Sequence, residues 1–144
     1  MRMPIRVMIA TRTTIVVIGL LLGLLVTGAP PAPAVTYTPN TSPPAAVRYE
    51  YYGSGGLQCQ SGYACTTLEY PAGVIRWVFK FYYYGTYSLS HWSGTGWAAN
   101  SQTGGAAMRL LDRNGYQITC VPAGDWRYVN WDPVWFIRLT SSPC

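Results

Sequence analysis

The clearest structural signal in the chain lies at residues 74–84. Ile75, Trp77, Phe79, Phe81 and Tyr83 alternate with Arg76 and Lys80, so apolar side chains fall on one face at a period of two. That is the pattern of a strand with one face against a core. Further β signals surround it. Residues 63–68 carry β-formers and precede a turn at Glu69-Tyr70-Pro71-Ala72-Gly73. Strands are also predicted at 86–89, 106–111, 116–121, 126–129 and 134–140, with Asp112-Arg113-Asn114-Gly115 as a hairpin turn. Residues 90–105, rich in Gly, Ser, Thr and Asn, read as a long loop carrying Trp92 and Trp97. After the N-terminal apolar run no stretch keeps a 3.6-residue apolar period. The expected class is therefore all-β, with very little helix.

The N-terminus predicts export. Arg2, Arg6 and Arg12 precede an apolar run at 15–26, too short for a spanning helix, which needs roughly 20 apolar residues. Ala32-Pro33-Ala34 then supplies a small-x-small cleavage pattern, so residues 1–34 read as a signal peptide. Cleavage would remove three of the ten basic residues. Seven would remain against five acidic ones, a net charge of +2 in place of +5. The remaining charges are scattered, so no nucleic-acid or anionic-membrane partner is expected. The mature chain would be secreted and extracellular, and the expectation is a monomer with no membrane contact.

All four cysteines, Cys59, Cys65, Cys120 and Cys144, lie beyond residue 34. An even set in an exported chain reads as two disulfides, which a domain this small needs as staples. Three pairings are possible. Cys59–Cys65 with Cys120–Cys144 is favoured, because it closes a short loop and ties down the last residue; long-range pairing between the halves is the alternative. C-x5-C lacks zinc-site spacing and His91 is the single histidine, so neither a metal nor a cofactor is expected. All 6 Trp, 12 Tyr and 3 Phe also follow residue 34, and their large faces can build the core.

Residues 35–56 are rich in Pro and Gly and read as a flexible leader, with 48–52 either a first short strand or part of that leader. The folded domain is then 57–144. An internal echo runs through it. Gly85, Tyr87 and Trp92 match Gly124, Trp126 and Trp131 at an offset of 39 residues, and His91 falls opposite Asn130. Two copies of a four-strand antiparallel unit, packed face to face, would form a two-sheet sandwich.

Cys59-Gln60-Ser61-Gly62-Tyr63-Ala64-Cys65 resembles the C-P-x-G-Y-x-C opening of small exported actinobacterial proteins. These are grouped with a metallopeptidase-inhibitor family that shares the βγ-crystallin double Greek key. The segment from Phe81 to Trp92 and the Gly94-Thr95-Gly96 and Gln102-Thr103-Gly104-Gly105 stretches are similar to that group too. The resemblance covers about residues 58–139. It implies a disulfide-stapled, βγ-crystallin-like Greek-key sandwich and a proteinaceous peptidase inhibitor. Asn100-Ser101-Gln102-Thr103 departs from the βγ-crystallin calcium signature by lacking its second ligand and its final Ser, which argues against calcium.

A catalytic role would have to use His91, and no positioned nucleophile or orienter accompanies it. Asp112 and Asp125 flank turns, where Asp is favoured for local hydrogen bonds. The protein is therefore expected to bind rather than catalyse. Two candidate sites follow. The first is the loop with Trp92, Trp97, Asn100 and Gln102, whose indoles beside amide groups suit a sugar or a partner's pocket. The second is Cys120-Val121-Pro122. A disulfide and a proline would hold it rigid as an inhibitory segment, and Val121 supplies the bulky apolar residue that thermolysin-like enzymes favour. The expected partner is an extracellular peptidase or a cell-envelope glycan, with a toxin-like extracellular module as a further possibility.

Overall fold

The computed structural model describes residues 37–54, 56–70 and 72–144; the signal peptide assigned to 1–34 lies outside them. The described residues form ten strands and no helix: β1 (Asn40–Ser42), β2 (Val47–Gly53), β3 (Ala64–Glu69), β4 (Ile75–Phe81), β5 (Gly85–Ser90), β6 (Thr95–Asn100), β7 (Ala107–Leu111), β8 (Gln117–Pro122), β9 (Trp126–Asn130) and β10 (Phe136–Thr140). They make two five-stranded antiparallel sheets. One runs β1-β5-β10-β7-β8 and the other β2-β4-β3-β6-β9. The protein is a two-sheet, disulfide-stapled β-sandwich.

The echo in the sequence has a structural counterpart, with one difference from simple face-to-face packing. β3 to β6 form one unit and β7 to β10 the other. In each, three strands share a sheet while the third, β5 or β9, crosses to the other unit's sheet. The orders β4-β3-β6-β9 and β8-β7-β10-β5 are therefore equivalent, and each unit's fourth strand lies beside its first. The two matched indoles, Trp92 and Trp131, meet edge to face in the core, with ring centroids 5.2 Å apart.

Strand β4 shows how alternation becomes packing. Phe79 and Phe81 are fully buried and Trp77 half-buried against the cluster of Leu68, Met108, Leu110 and Ile137. Tyr83, expected on the same face, is exposed because the strand ends at Phe81. On the other face Lys80 is also buried. Its Nζ donates to Gln60 Oε1 at 2.7 Å, and Cys59 is bonded to Cys65 of β3. The second disulfide joins Cys120 to Cys144. The favoured pairing is the one found.

Two expectations are corrected here. The assigned leader, 35–56, supplies both β1 and β2, so the folded domain begins well before residue 57. Asn40, Thr41 and Ser42 pair with Ser90, Leu89 and Ser88, and β2 pairs with β4. Without these strands β5 and β4 would be open sheet edges. The prolines Pro43 and Pro44 fall between the two strands, where no ladder N–H is required. The loop at 90–105 contains β6, a central strand between β3 and β9. Gly96 makes that position possible: a Cβ there would collide with the Thr67 carbonyl and press on Trp131 Nε1.

Candidate functional site

On β6 the side chains alternate. Gly96, Ala98 and Asn100 are buried, whereas Trp97 and Ala99 are half-buried on the outer face of the sheet. β9 lies alongside as the sheet's edge strand. Trp97 is paired with Tyr128 and Ala99 with Trp126. Cross-strand neighbours on one face sit within side-chain reach, and three aromatic rings result. Trp126 and Tyr128 stand 4.8 and 4.9 Å from Trp97, centroid to centroid, each at a steep angle. Trp126 is 62% exposed and Tyr128 50%.

Trp97 and Trp126 border a groove of about 430 Å³, lined also by Leu57, Cys59, Ser101 and Asp125, and Tyr128 packs against Trp97 on the same face. Its walls are fixed. Cys59 is held by its disulfide. The Tyr128 hydroxyl donates to Glu69 Oε2 at 2.7 Å and lies 2.8 Å from Thr95 Oγ1. Asp125 Oδ1 accepts from the Trp126 amide at 2.8 Å, and Oδ2 takes Arg127 at 3.1 Å. That ion pair is half in water and adds little stability. It does hold a carboxylate at the groove. Broad apolar rings beside a fixed carboxylate and the Ser101 hydroxyl suit a ligand with one apolar face and a rim of hydroxyl groups.

Of the four predicted loop residues, Trp92, Trp97, Asn100 and Gln102, only Trp97 belongs to this groove. Trp92 is a core residue whose Nε1 donates to the Asn40 carbonyl at 2.9 Å. Asn100 is buried as a structural clasp. Its Nδ2 donates to the carbonyls of Ala106 and Val121, and its Oδ1 accepts from the Gln102 amide. Gln102 is buried beside it, with Oε1 unpaired. The reason is that β6 is central, so half of its residues must face the core.

The Cys120-Val121-Pro122 segment does not have the geometry of an inhibitory loop. It is the end of β8, paired with Arg109, Met108 and Ala107 of β7. Val121 is 0% exposed, packed in the core, and its carbonyl is engaged by Asn100. A segment presented to an enzyme cleft needs an exposed side chain at its anchor residue, and Val121 has none. His91 sits in the turn after β5 with φ 59°, its ring stacked on Tyr37 at 4.5 Å. The left-handed region is one that His and Asn tolerate better than most residues.

Trp126 and Tyr128 were not among the predicted site residues. Period-two alternation in Trp126-Arg127-Tyr128-Val129-Asn130 places both on one face. What the sequence lacks is the register that sets them beside Trp97.

Comparisons with protein-family models, curated proteins and solved structures find no match to this chain.

Proposed function

We propose that the protein is a secreted, non-enzymatic binding domain that takes a cell-envelope glycan across Trp97, Trp126 and Tyr128. The carrying observation is the exposed, rigid aromatic cluster. Large indole surface in water is unfavourable unless something covers it. Here the rings are held by cross-strand packing and by the Tyr128–Glu69 bond, so little ordering entropy is lost when a ligand stacks on them. Asp125 and Ser101 supply acceptors and a donor for sugar hydroxyls. Export through a signal peptide at 1–34 agrees with two disulfides, which persist in oxidising surroundings.

The test is retention of the purified domain on insoluble peptidoglycan and on chitin. Trp126→Ala should weaken binding by about tenfold or more, the behaviour of a central aromatic anchor. Its unfolding midpoint should stay close to that of the parent, because the ring lies at the surface. Retention untouched by both Trp126→Ala and Trp97→Ala would remove the glycan reading. The metallopeptidase-inhibitor reading rests on the resemblance of residues 59–65. Stoichiometric inhibition of thermolysin, undiminished in Trp126→Ala, would put it in the glycan reading's place.

A further inference from the structure

A second cleft, of about 370 Å³, opens between the residues leading into β1 and the ends of β2, β3 and β4. It shares only Glu69 with the aromatic site. Its floor is Arg76. Leu68 pairs with Trp77 and Glu69 with Ile75, so Arg76 is the extra residue of a β-bulge. Bulges re-aim side chains. This one brings the guanidinium over the Tyr52 ring, 5.0 Å from its centroid. Arg76 Nε is buried and has no hydrogen-bond partner. A buried guanidinium N–H left unpaired is costly, and such groups call for an explanation.

Two carboxylates line the same cleft without pairing to it. Glu50 Oε2 accepts from the Tyr52 hydroxyl at 2.8 Å. Glu69 Oε2 accepts from the Gly73 amide and from Tyr128. Among the described residues the single ion pair is Arg127–Asp125, elsewhere on the surface. The cleft thus holds an unpaired cation beside unpaired anions, with Tyr37, Tyr70 and Trp77 as walls. His91, in its left-handed conformation, closes one side against Tyr37. Non-glycine residues in that region cluster where geometry serves a ligand.

We propose that this cleft binds a zwitterionic α-amino acid with an aromatic or large apolar side chain. The carboxylate would take the terminal NH groups of the Arg76 fork, because Nε itself is enclosed. The ammonium group would lie at the Glu50 carboxylate, and the side chain against Trp77 and Tyr70. A simple anion fits less well, because Glu50 and Glu69 would repel it. A simple cation would leave Arg76 unpaired.

The test is an NMR titration of the folded protein with three probes: phenylalanine, phenylalaninamide and N-acetylphenylalanine. Phenylalanine should saturate at millimolar concentration and shift the Arg76 Nε–H and the Trp77 indole resonances. Loss of the ligand's carboxylate (the amide) or of its ammonium (the acetyl compound) should each weaken binding about tenfold, as expected for one charge-assisted contact. Arg76→Lys keeps the charge and removes the fork, and should lose as much as Arg76→Gln. Both variants should remain folded, with backbone amide resonances away from the cleft unchanged, so that lost binding is separated from lost fold. Equal affinity for phenylalanine and phenylalaninamide, unchanged affinity in Arg76→Gln, or no saturable shift into the tens of millimolar would each overturn the proposal. None of these outcomes bears on Trp126, so the glycan reading stands or falls separately.

Discussion

Trp131 shows how individual polar atoms decide what an aromatic residue does in this core. Its ring is wholly buried, and its Nε1 donates to the Thr67 carbonyl at 2.9 Å. Trp92 makes the corresponding bond to the Asn40 carbonyl. An indole with a backbone partner can be buried without penalty, whereas one lacking it must keep its N–H toward water. Tyr87 obeys the same rule: it is buried beside Phe81, and its hydroxyl donates to the Tyr83 carbonyl at 2.8 Å. Burial, reinforced by Tyr83, pushes its pKa above the ordinary 10.0. The folded chain therefore holds the phenolic proton more tightly than the unfolded chain does. That contribution to stability is complete below pH 10.0 and is lost as pH climbs through the raised folded value. Thermal unfolding followed from pH 8 to pH 12 should show a falling midpoint above about pH 10. In Tyr87→Phe the fall should be shallower, even though the variant starts from a lower midpoint at pH 8. An identical slope in both proteins would place the alkaline sensitivity elsewhere.

Strands carry the fold in unequal ways, and β1, only three residues long, still has a defined part. Its three residues pair with β5, bury Thr41, and place the Asn40 carbonyl under Trp92 Nε1. Thr41 Oγ1 also accepts from the Ala45 amide. A variant lacking residues 37–44 should leave the indole N–H unpaired and bare the β5 edge. Loss of about 2 kcal/mol or more is expected in urea unfolding, with the midpoint shifted and the slope kept. A midpoint unchanged by the deletion would mean that the segment is the dispensable leader its composition suggests. The contrast explains what could be read from the sequence. β4 was legible because Ile75, Trp77, Phe79 and Phe81 repeat at period two, and the Asp112 turn because its carboxylate caps the amides of Asn114 and Tyr116. β1 was not, since three residues carry no period and are ordered only by their partner. β6 was hidden by Gly96, Ala98 and Ala99, weak β-formers. They are required there because Gly96 must let the Thr67 carbonyl and Trp131 approach. The aromatic groove was half legible for the same reason. Trp97 could be singled out alone, but Trp126 and Tyr128 gain meaning only from the β6–β9 register.

At the scale of the whole molecule, exchange of β5 and β9 makes the two units inseparable, because each sheet contains a strand from both. The disulfides act on what this exchange leaves loose. Cys120–Cys144 ties the edge strand β8 to the end of the chain, across a separation of 24 residues. Cys59–Cys65 spans only 6 and holds the segment between β2 and β3 against β3. If constraint of the unfolded chain were the whole effect, removing the first pair would cost about 3.5 kcal/mol and the second about 2.4. Packing alters that ranking. Cys65 is fully buried, and the Cys59 segment also brings Gln60 to Lys80 Nζ and Leu57 and Cys59 to the aromatic groove. Cys59→Ser with Cys65→Ser therefore loses a covalent link, places a hydroxyl in the core, and loosens one wall of the groove. Its loss of stability in urea should equal or exceed that of the Cys120→Ser, Cys144→Ser pair, against the order that loop length alone dictates. It should also weaken ligand retention, which the second pair should leave intact. A smaller loss than for Cys120–Cys144, with full retention, would make both disulfides simple restraints on chain entropy and the groove independent of the staple beside it.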